Sequence, residues 1–342
     1  MSAASIDRLL ALLVGLLLAS GLLTLRAGIP ATAPLFILHG LLAGALAGAI
    51  GMKLRSSLPQ AIRGSRWGRI TLGLLVTLLG AAALGGGFAW VASGRILAIG
   101  PWTVLTLHVW AALALIPLLA VHLLPRRWRL LRLRMTGRRP TGADSALPGH
   151  RISRRTLLAT AVLGVAGLGA WLAANAADVL AGGRRRFTGS RPLADGGMPP
   201  VTTFFGEPTP AIDPHAWRLV VRGRVAGEVS LGLDELKGLE QSTIQATLDC
   251  TSGWAMTTAW SGLRVATLLE AAGVHPEARE VVVRSVTGWA TSLSLREARS
   301  ALLATHVAGQ PLPAGNGAPV RLVAPERRGL DWVKWVDRVE VV

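Results

Sequence analysis

The sequence contains one cysteine and no tyrosine. The single cysteine, Cys250, excludes an intrachain disulfide, an iron–sulfur cluster bound by four cysteines and a CxxCH haem attachment. A lone cysteine is most often a small buried apolar residue, so any chemical role for Cys250 has to be inferred from its surroundings.

Acidic residues are also scarce, with 19 Asp and Glu against 36 Lys and Arg and a formal net charge of +17. The basic excess is concentrated in two stretches, 53–69 with five basic residues and no acidic one, and 126–155 with ten Arg and one Asp. Both stretches lie between apolar runs, where the positive-inside rule places Lys and Arg. The charge therefore indicates membrane topology and contact with anionic membrane lipid, and it argues against a nucleic-acid partner.

Apolar residues make up 51% of the chain, and before residue 181 they form runs close to the ~20 residues that cross a bilayer. We interpret the first run as an uncleaved span, because no small-residue cleavage site followed by a soluble stretch comes after it. The predicted spans, about five, are Leu9–Leu25, Pro34–Met52, Ile70–Ala92, Trp102–Leu124 and Leu157–Ala174.

The basic stretches predict how these spans are oriented. The loops 53–69 and 125–155 are expected in the cytoplasm, and the short links 26–33 and 93–101, with one Arg each, on the outer face. Five spans then place the N-terminus inside and the C-terminal domain outside. In a Gram-negative cell this describes a multi-pass protein of the inner membrane with a periplasmic catalytic domain.

A basic segment precedes the last span and permits two interpretations. Ser153, Arg154 and Arg155 before an apolar run resemble a twin-arginine export signal, here inside the chain. An ordinary basic flank of a transmembrane helix has the same composition. The residues alone favour neither, although an export signal would suit a domain that folds around a cofactor before export.

Three histidines, His39, His108 and His122, lie within the predicted spans, where an ionisable side chain is costly and is a functional hypothesis by default. His39 and His108 are each roughly 8 Å from the outer end of a span, at 1.5 Å per helical residue. Two imidazoles at one depth are suited to bis-histidine ligation of one haem b, with a structural polar pair as the alternative. His122 lies ~21 Å further along the helix, and we interpret it as unpaired or interfacial.

Small residues at Gly40, Gly44 and Gly48 form a stripe on the second span. We expect this stripe to allow close helix packing, although it could also make room for a flat macrocycle. With the histidines, residues 1–125 loosely resemble the membrane cytochrome b subunits of dehydrogenases and hydrogenases. The predicted organisation is then a four-helix membrane domain at 1–125, a basic cytoplasmic loop at 126–155 and a fifth transmembrane anchor at 156–180.

After the anchor, residues 181–198 are rich in Gly, Arg and Pro and are interpreted as a linker. Beyond them the pattern becomes that of an α+β domain with mainly β character. A helix is predicted at Leu263–Ala272, stopped by Gly273. Strands are predicted at Trp217–Val225, Thr243–Leu248, Val281–Val286, Val320–Val323 and Trp332–Val342.

Cys250 directly follows one of these strands and precedes a Gly- and Trp-containing loop, where a ligand can approach and where a soft thiolate suits a heavy metal. Several motifs in this region resemble, in order, the molybdopterin-binding domain of the sulfite oxidase superfamily over residues 199–342. They are Thr247–Trp254, Trp260–Leu269, Leu312–Pro325, Gly329 and Val333–Trp335.

This resemblance implies a role for each matching residue. Cys250 would supply the thiolate bound to molybdenum, and basic side chains would bind the dianionic phosphate of the pterin cofactor. The implied pterin and phosphate contacts are Ser285, Asn316, Arg321, Lys334 and the backbone of Trp332 and Val333. For Arg321 and Lys334 taken in isolation, solvated strand charge is the alternative.

The chain also departs from the family pattern. The early motif is Thr202–Gly206 where the family often has Asn and Tyr, and Thr251–Trp254 follows the cysteine where sulfite oxidases have Arg. Without tyrosine and these arginines a doubly charged sulfite would lack its usual partners. A neutral or weakly charged small-molecule substrate such as an S-oxide or N-oxide is favoured. The Asn-Gly-Ala-Pro sequence also resembles that of periplasmic methionine-sulfoxide reductase catalytic subunits.

The sequence therefore predicts a membrane-bound molybdenum-cofactor oxidoreductase. Electrons would pass between the quinone pool or another membrane donor, a haem b bound by His39 and His108, and the molybdenum bound by Cys250. The alternatives are a sulfite-type dehydrogenase, a molybdenum enzyme with a haem-free membrane anchor, and a non-catalytic membrane-tethered binding module.

Overall fold

A computed structural model describes residues 3–63, 67–135, 154–203 and 206–342. The chain divides into two compact units. The first consists of Met1–Gly21 with Pro34–Arg184, and the second of Leu22–Ala33 with Arg185–Val342.

The first unit is helical. Four of its helices contain stretches long and apolar enough to cross a membrane, at Pro30–Lys53, Thr71–Ala92, Val104–Val121 and Ala161–Leu180. The first helix contains a shorter apolar stretch, Arg8–Thr24. The helices are α1 (Ala3–Thr24), α2 (Ala33–Arg63), α3 (Trp67–Ala92), α4 (Val104–Met135) and α5 (Arg154–Leu180).

The bounds of α4 differ from the sequence prediction at both ends. Trp102 and Thr103 form strand β2 (Trp102–Thr103), which pairs with β1 (Ala98–Ile99), so the helix begins only at Val104. At its other end α4 continues through Met135, past the boundary expected at residue 125. The hydrophobic run therefore marks only part of the helix. Of the twin-arginine-like segment, Ser153 lies outside the described residues.

The glycine stripe on α2 packs against α5, as the sequence predicts. A Cβ atom on Gly44 would lie 2.5 Å from the Cα atom of Gly167, and one on Gly48 would lie 2.6 Å from a methyl carbon of Leu163. Gly40 likewise lies against the indole of Trp171. Small residues thus bring the two helix backbones into close contact.

The second unit is mainly β. Its first sheet has the order β11–β10–β7–β3, with β6 paired to β7 and β12 to β10. The strands are β3 (Arg191–Pro192), β6 (Gln241–Asp249), β7 (Trp254–Arg264), β10 (Leu302–Val307), β11 (Gln310–Pro311) and β12 (Arg321–Val323). All these pairs are antiparallel except that of β3 with β7.

The second sheet has the order β5–β4–β13–β8–β9, and only β13 with β4 is parallel. Its strands are β4 (Arg218–Gly223), β5 (Val229–Gly232), β8 (Glu280–Ser285), β9 (Ala290–Ser294) and β13 (Val336–Val341). Short helices α6 (Leu233–Gly238), α7 (Val265–Ala272) and α8 (Leu295–Ser300) connect the strands. The predicted helix corresponds to α7, which ends at Gly273 in the left-handed conformation that favours glycine.

Residues from Arg185 onward, within the stretch that the sequence suggests as a linker, belong to the second unit. The backbone N–H groups of Arg191, Leu193 and Gly196 donate to carbonyls of β7 or the turn before it, each at 2.8 Å. In the same unit, Ala27 forms an isolated antiparallel bridge with Arg327, and the Thr24 carbonyl accepts from Arg328 at 3.0 Å. Both segments therefore extend the domain beyond residues 199–342.

Candidate active site

Cys250 lies in the tight turn between β6 and β7. Its N–H donates to the Trp254 carbonyl at 2.8 Å, and its own carbonyl accepts from Gly253 N–H at 2.9 Å. Gly253 has φ 99°, a conformation that glycine adopts without strain. The Cys250 side chain is buried, with 8% of its surface exposed. The hairpin thus fixes the position of a thiol at the end of a long strand pair.

Two hydroxyl groups face the Cys250 sulfur. Ser252 Oγ lies 3.0 Å and Thr202 Oγ1 lies 3.4 Å from Sγ. A thiolate has no proton of its own, so both hydroxyls can donate to it. The sequence singled out Thr202 only as a departure from the family pattern, and the structure places it beside the candidate metal ligand.

Arg321 is buried between two tryptophans. Its guanidinium carbon lies 5.5 Å from the ring centre of Trp260 and 5.9 Å from that of Trp332. Arg321 Nη1 donates to the Asn316 carbonyl at 2.9 Å. Burial lowers the pKa of Arg321 to about 10, while the nearby Cys250 acts in the opposite direction. A cation is thus held in an aromatic site close to the thiol.

Two buried polar atoms near this cation have no hydrogen-bond partner within the described part of the chain. They are Nε of Arg321 and Oδ1 of Asn316, whose amide nitrogen donates to the Pro199 carbonyl at 2.9 Å. Leaving such a group unpaired costs about 1–3 kcal/mol, more for a charged one. An open donor on a cation fits an anionic group, and an open amide oxygen fits an N–H or O–H donor of the same ligand.

Lys334 supplies a second cation, which is partly buried. Its Nζ donates to the carbonyls of Thr202 and Gly315 at 2.7 and 2.6 Å, and it lies 5.4 Å from the Trp335 ring centre. Burial, reinforced by the positive charge of Arg321, lowers the pKa of Lys334 to about 8. Two cations that repel each other away from water favour an anionic partner, and a phosphate group has the matching charge. The residues present therefore fit molybdopterin.

The other predicted contacts are engaged within the protein. The backbone N–H of Trp332 donates to the Gly329 carbonyl, and the Val333 carbonyl accepts from Leu322 N–H. Ser285, at the end of β8, lies 3.1 Å from the Thr287 hydroxyl and accepts from its N–H. Cys250, Arg321, Asn316 and Lys334 are thus brought together, whereas Ser285 caps its own turn.

Asp249, the residue before Cys250, is the centre of a buried polar cluster that sequence reasoning missed. Its carboxylate accepts hydrogen bonds from Arg186, Thr188, Ser190 and Arg328. The only sequence signal is its position beside the cysteine, because its partners are about 60 or more residues away along the chain.

The first unit holds the two histidines expected to bind haem. The rings of His39 and His108 are 6.2 Å apart between centroids, and their planes make an angle of 89°. Imidazole nitrogens bind metals at about 2 Å, so two rings on opposite sides of one metal have centroids roughly 6 Å apart. The spacing fits bis-histidine ligation.

The hydrogen bonds of these rings leave the second nitrogen available in both cases. His108 Nδ1 lies 2.6 Å from the Ala83 carbonyl, which can only accept, so Nδ1 carries the proton. His39 Nδ1 lies 2.8 Å from Ser20 Oγ, whose own proton is donated to the Leu17 carbonyl. Each Nε2 therefore keeps a lone pair for a metal, oriented by its partner on Nδ1.

Comparison with known proteins gives the second unit its identity. Residues 206–342 match the family described as oxidoreductase molybdopterin binding domain. Mitochondrial sulfite oxidase of Mus musculus is 33% identical over 184 residues, which are 44% of this chain and 34% of that protein. The uncharacterized oxidoreductase YuiH of Bacillus subtilis is 31% identical over 131 residues, 37% of this chain and 66% of that protein.

The protein-methionine-sulfoxide reductase catalytic subunit MsrP of Gluconobacter oxydans is 30% identical over 151 residues, 38% of this chain and 48% of that protein. The sulfane dehydrogenase SoxCD from Paracoccus pantotrophus, a crystal structure, aligns with 39% of this chain and 40% of its own chain at a TM-score of 0.38 and 23% identity. This chain spans less than two thirds of each of these relatives. Residues 206–342 form a molybdopterin-binding oxidoreductase domain, related in sequence to sulfite oxidase and to MsrP.

Proposed function

We propose that this protein is a membrane-bound, quinol-linked molybdenum enzyme that reduces an S-oxide or a similar small substrate on the outer face of the membrane. The observation that carries the proposal is the grouping of a turn-held thiol, Cys250, with a buried cation that has an open donor, Arg321, and a second, partly buried cation, Lys334. Bound molybdopterin would supply oxygen-atom transfer coupled to two electrons.

The residues of the chain have distinct tasks in this proposal. Cys250 provides a soft ligand, and Ser252 and Thr202 donate hydrogen bonds to its sulfur. Arg321 and Lys334 neutralise the phosphate of the cofactor, and Asn316 offers a carbonyl oxygen to a pterin N–H group. Their positions are fixed before the cofactor binds, because carbonyls and tryptophan rings hold both cations.

A neutral substrate is favoured by what surrounds the thiol. The turn after Cys250 contributes Thr251, Ser252 and Gly253, none of which carries a charge. A doubly charged oxyanion such as sulfite needs bidentate cationic partners, and this turn supplies none. An S-oxide needs only a hydrogen bond to its oxygen, which a hydroxyl group can donate.

Electron supply through the first unit is the second part of the proposal. His39 and His108 would bind one haem b through Nε2, with Ser20 and the Ala83 carbonyl holding the rings. The candidate spans and the related periplasmic MsrP proteins support a multi-pass inner-membrane location with the catalytic domain in the periplasm.

The substrate assignment is tested with purified holoenzyme and reduced viologen as electron donor. Reduction of methyl aryl S-oxides or N-oxides is the expected result, and Cys250→Ala should abolish it. Turnover of sulfite with an artificial acceptor, without S-oxide reduction, would instead identify a sulfite-type dehydrogenase. A preparation free of molybdenum from a cofactor-competent host would support a binding module.

The haem assignment is tested by absorption spectroscopy of His39→Ala and His108→Ala, with His122→Ala as the matched control. The expected result is loss of the haem bands in the first two variants and their retention in the third. Retention in both of the first two would leave the first unit as a haem-free anchor.

A further inference from the structure

The carboxylate of Asp249 is almost fully enclosed, with 2% of the residue exposed. Its Oδ1 accepts from Ser190 Oγ at 2.6 Å and from Arg328 Nη2 at 3.2 Å. Its Oδ2 accepts from Thr188 Oγ1 at 2.7 Å and from Arg186 Nε at 3.0 Å. Both oxygens are therefore saturated by donors from two remote parts of the chain.

The same cluster also holds the backbone of Cys250. Arg328 Nη2 donates to the Cys250 carbonyl at 3.2 Å, and Ser190 Oγ lies 3.4 Å from it. The Cys250 carbonyl thus has polar contacts with Arg328 and Ser190, in addition to its bond within the turn. Because the Cα–Cβ direction follows from the backbone, these contacts fix the position and direction from which the Cys250 side chain starts.

Stability alone does not account for such a cluster. Removing two charges from water costs several kcal/mol per ion, and apolar side chains of similar volume often stabilise a core as well or better. Asp249 and Arg328 are both buried, at 2% and 3% exposure, and the pair lies immediately behind the candidate metal ligand. A requirement for accurate placement of Cys250 explains charges in this position.

The adjacent ion pair provides a comparison. Arg327 donates to both carboxylate oxygens of Glu297, at 2.7 and 3.0 Å. This pair is also an arginine with a carboxylate, and its arginine directly precedes Arg328. Arg327, however, contacts Glu297 on α8 and Asp331. It stabilises the fold without a described contact to Asp249 or Cys250.

We propose that Asp249 and Arg328, with Thr188 and Ser190, form a clamp that positions Cys250 as the molybdenum ligand. The proposal rests on the proposed function, since it assumes that Cys250 binds the metal. Three of the four donors to Asp249 come from the turn 186–190, which is closed by the Arg186 N–H to Ser190 carbonyl bond. This turn precedes residues 206–342, so residues outside the part that matches the family hold the backbone of Cys250 inside it.

The test uses the full-length holoenzyme with Asp249→Asn and, as matched control, Glu297→Gln. The measurements are molybdenum content, the Mo(V) electron paramagnetic resonance spectrum, kcat, KM and the thermal unfolding midpoint. Asp249→Asn is expected to lower kcat about ten- to a hundredfold, the range for residues that orient metal ligands, with KM little changed and an altered Mo(V) spectrum. Glu297→Gln should lower the unfolding midpoint and leave the spectrum and kcat as in the wild type.

A second variant keeps the test decisive if Asp249→Asn does not fold. Thr188→Val removes one donor and leaves the ion pair, so it should change the Mo(V) spectrum and kcat in the same direction but less. A wild-type Mo(V) spectrum and kcat in Asp249→Asn would overturn the clamp. If only Thr188→Val folds, the same result in that variant would overturn it. Equal effects from Glu297→Gln would overturn it too. Cys250→Ser is the separate arm: an unchanged Mo(V) spectrum there would refute the ligand assignment itself.

Discussion

The imidazole rings of His39 and His108 lie 6.2 Å apart between centroids, with their planes nearly perpendicular at 89°. Glycines flank both rings: a Cβ on Gly21 would lie 3.3 Å from His39 Cε1, and one on Gly87 would lie 3.2 Å from His108 Cε1. Larger residues there would crowd the imidazoles. Each ring is thus held by a hydrogen bond on Nδ1 and lies against a glycine.

Replacing Ser20 by Ala should raise the midpoint potential of the proposed haem. The Ser20 hydroxyl accepts a hydrogen bond from His39 Nδ1–H and so makes the imidazole a stronger electron donor to iron, which stabilises the ferric state. Its loss should shift the potential upward by tens of millivolts, where about 59 mV is a tenfold change for one electron. Spectroelectrochemical titration measures the shift. Ser93→Ala, whose hydroxyl bonds the Trp90 and Arg95 carbonyls, is the control and should leave the potential unchanged.

Replacing Arg321 by Met should separate cofactor binding from folding. The buried guanidinium has an open Nε and a pKa lowered by burial, so its removal relieves a desolvation cost in the cofactor-free protein. We expect an unchanged or higher unfolding midpoint for the cofactor-free variant and about a tenfold or greater loss of bound molybdenum. Calorimetry and metal analysis measure the two effects. A variant that retains its molybdenum would show that Arg321 does not bind the cofactor.

Retention of the cofactor should depend on pH through Lys334. Its pKa is lowered to about 8, chiefly by burial, and a bound phosphate would raise that pKa again. The contribution of Lys334 to affinity is then fully present below pH about 8 and is lost as the pH rises through the higher value of the complex. Molybdenum content after equilibration at pH 7 to 10 should fall in the wild type. In Lys334→Arg, which stays charged, a comparable fall would contradict this assignment.

Two glycines of α5 should respond oppositely to replacement by Ala. A Cβ on Gly167 would lie 2.6 Å from the Ala45 nitrogen on α2, whereas one on Gly164 would meet nothing within 4 Å. Gly167→Ala should therefore destabilise the helical unit by about 1–3 kcal/mol through overpacking. Gly164→Ala should be neutral or stabilising by up to about 1 kcal/mol, because alanine favours helix. Unfolding in detergent micelles measures both, and equal effects would argue against a close α2–α5 contact.

Local patterns in the sequence predicted the elements that depend on near neighbours. The alternation before Asp249 identified β6, Gly273 identified the end of α7, and the spacing of Gly40, Gly44 and Gly48 indicated a helix-packing face. The position of Cys250 after a strand, with the ordered motifs around it, predicted one site for this thiol, Arg321 and Lys334, and the roles of these residues stay predictions. Each of these signals comes from residues that are close together in the sequence.

Contacts between distant residues could not be predicted in this way. The last strand begins at Val336 rather than Trp332, because Gly329–Asp331 form a 3-10 turn and Trp335 adopts a positive φ of 53°. The partners of Asp249 come from the turn 186–190 and from Arg328, and nothing in the spacing of these residues indicates that they converge. Tertiary packing decides both features.

The chain from Arg191 to Gly196 is hydrogen-bonded along β7, and this limits how the domain could be joined to other N-terminal units. A junction placed at residue 206, where the family similarity starts, would discard β3 and the turn 186–190. That turn donates hydrogen bonds to the carboxylate of Asp249, next to Cys250. A transfer of this domain to another N-terminal unit would have to keep the chain from Arg185 onward, and would lose the contacts of Leu22–Ala33 unless that segment is kept too. Where the second unit follows the helices, its structural boundary at Arg185 therefore lies some twenty residues before residue 206, where the sequence similarity starts.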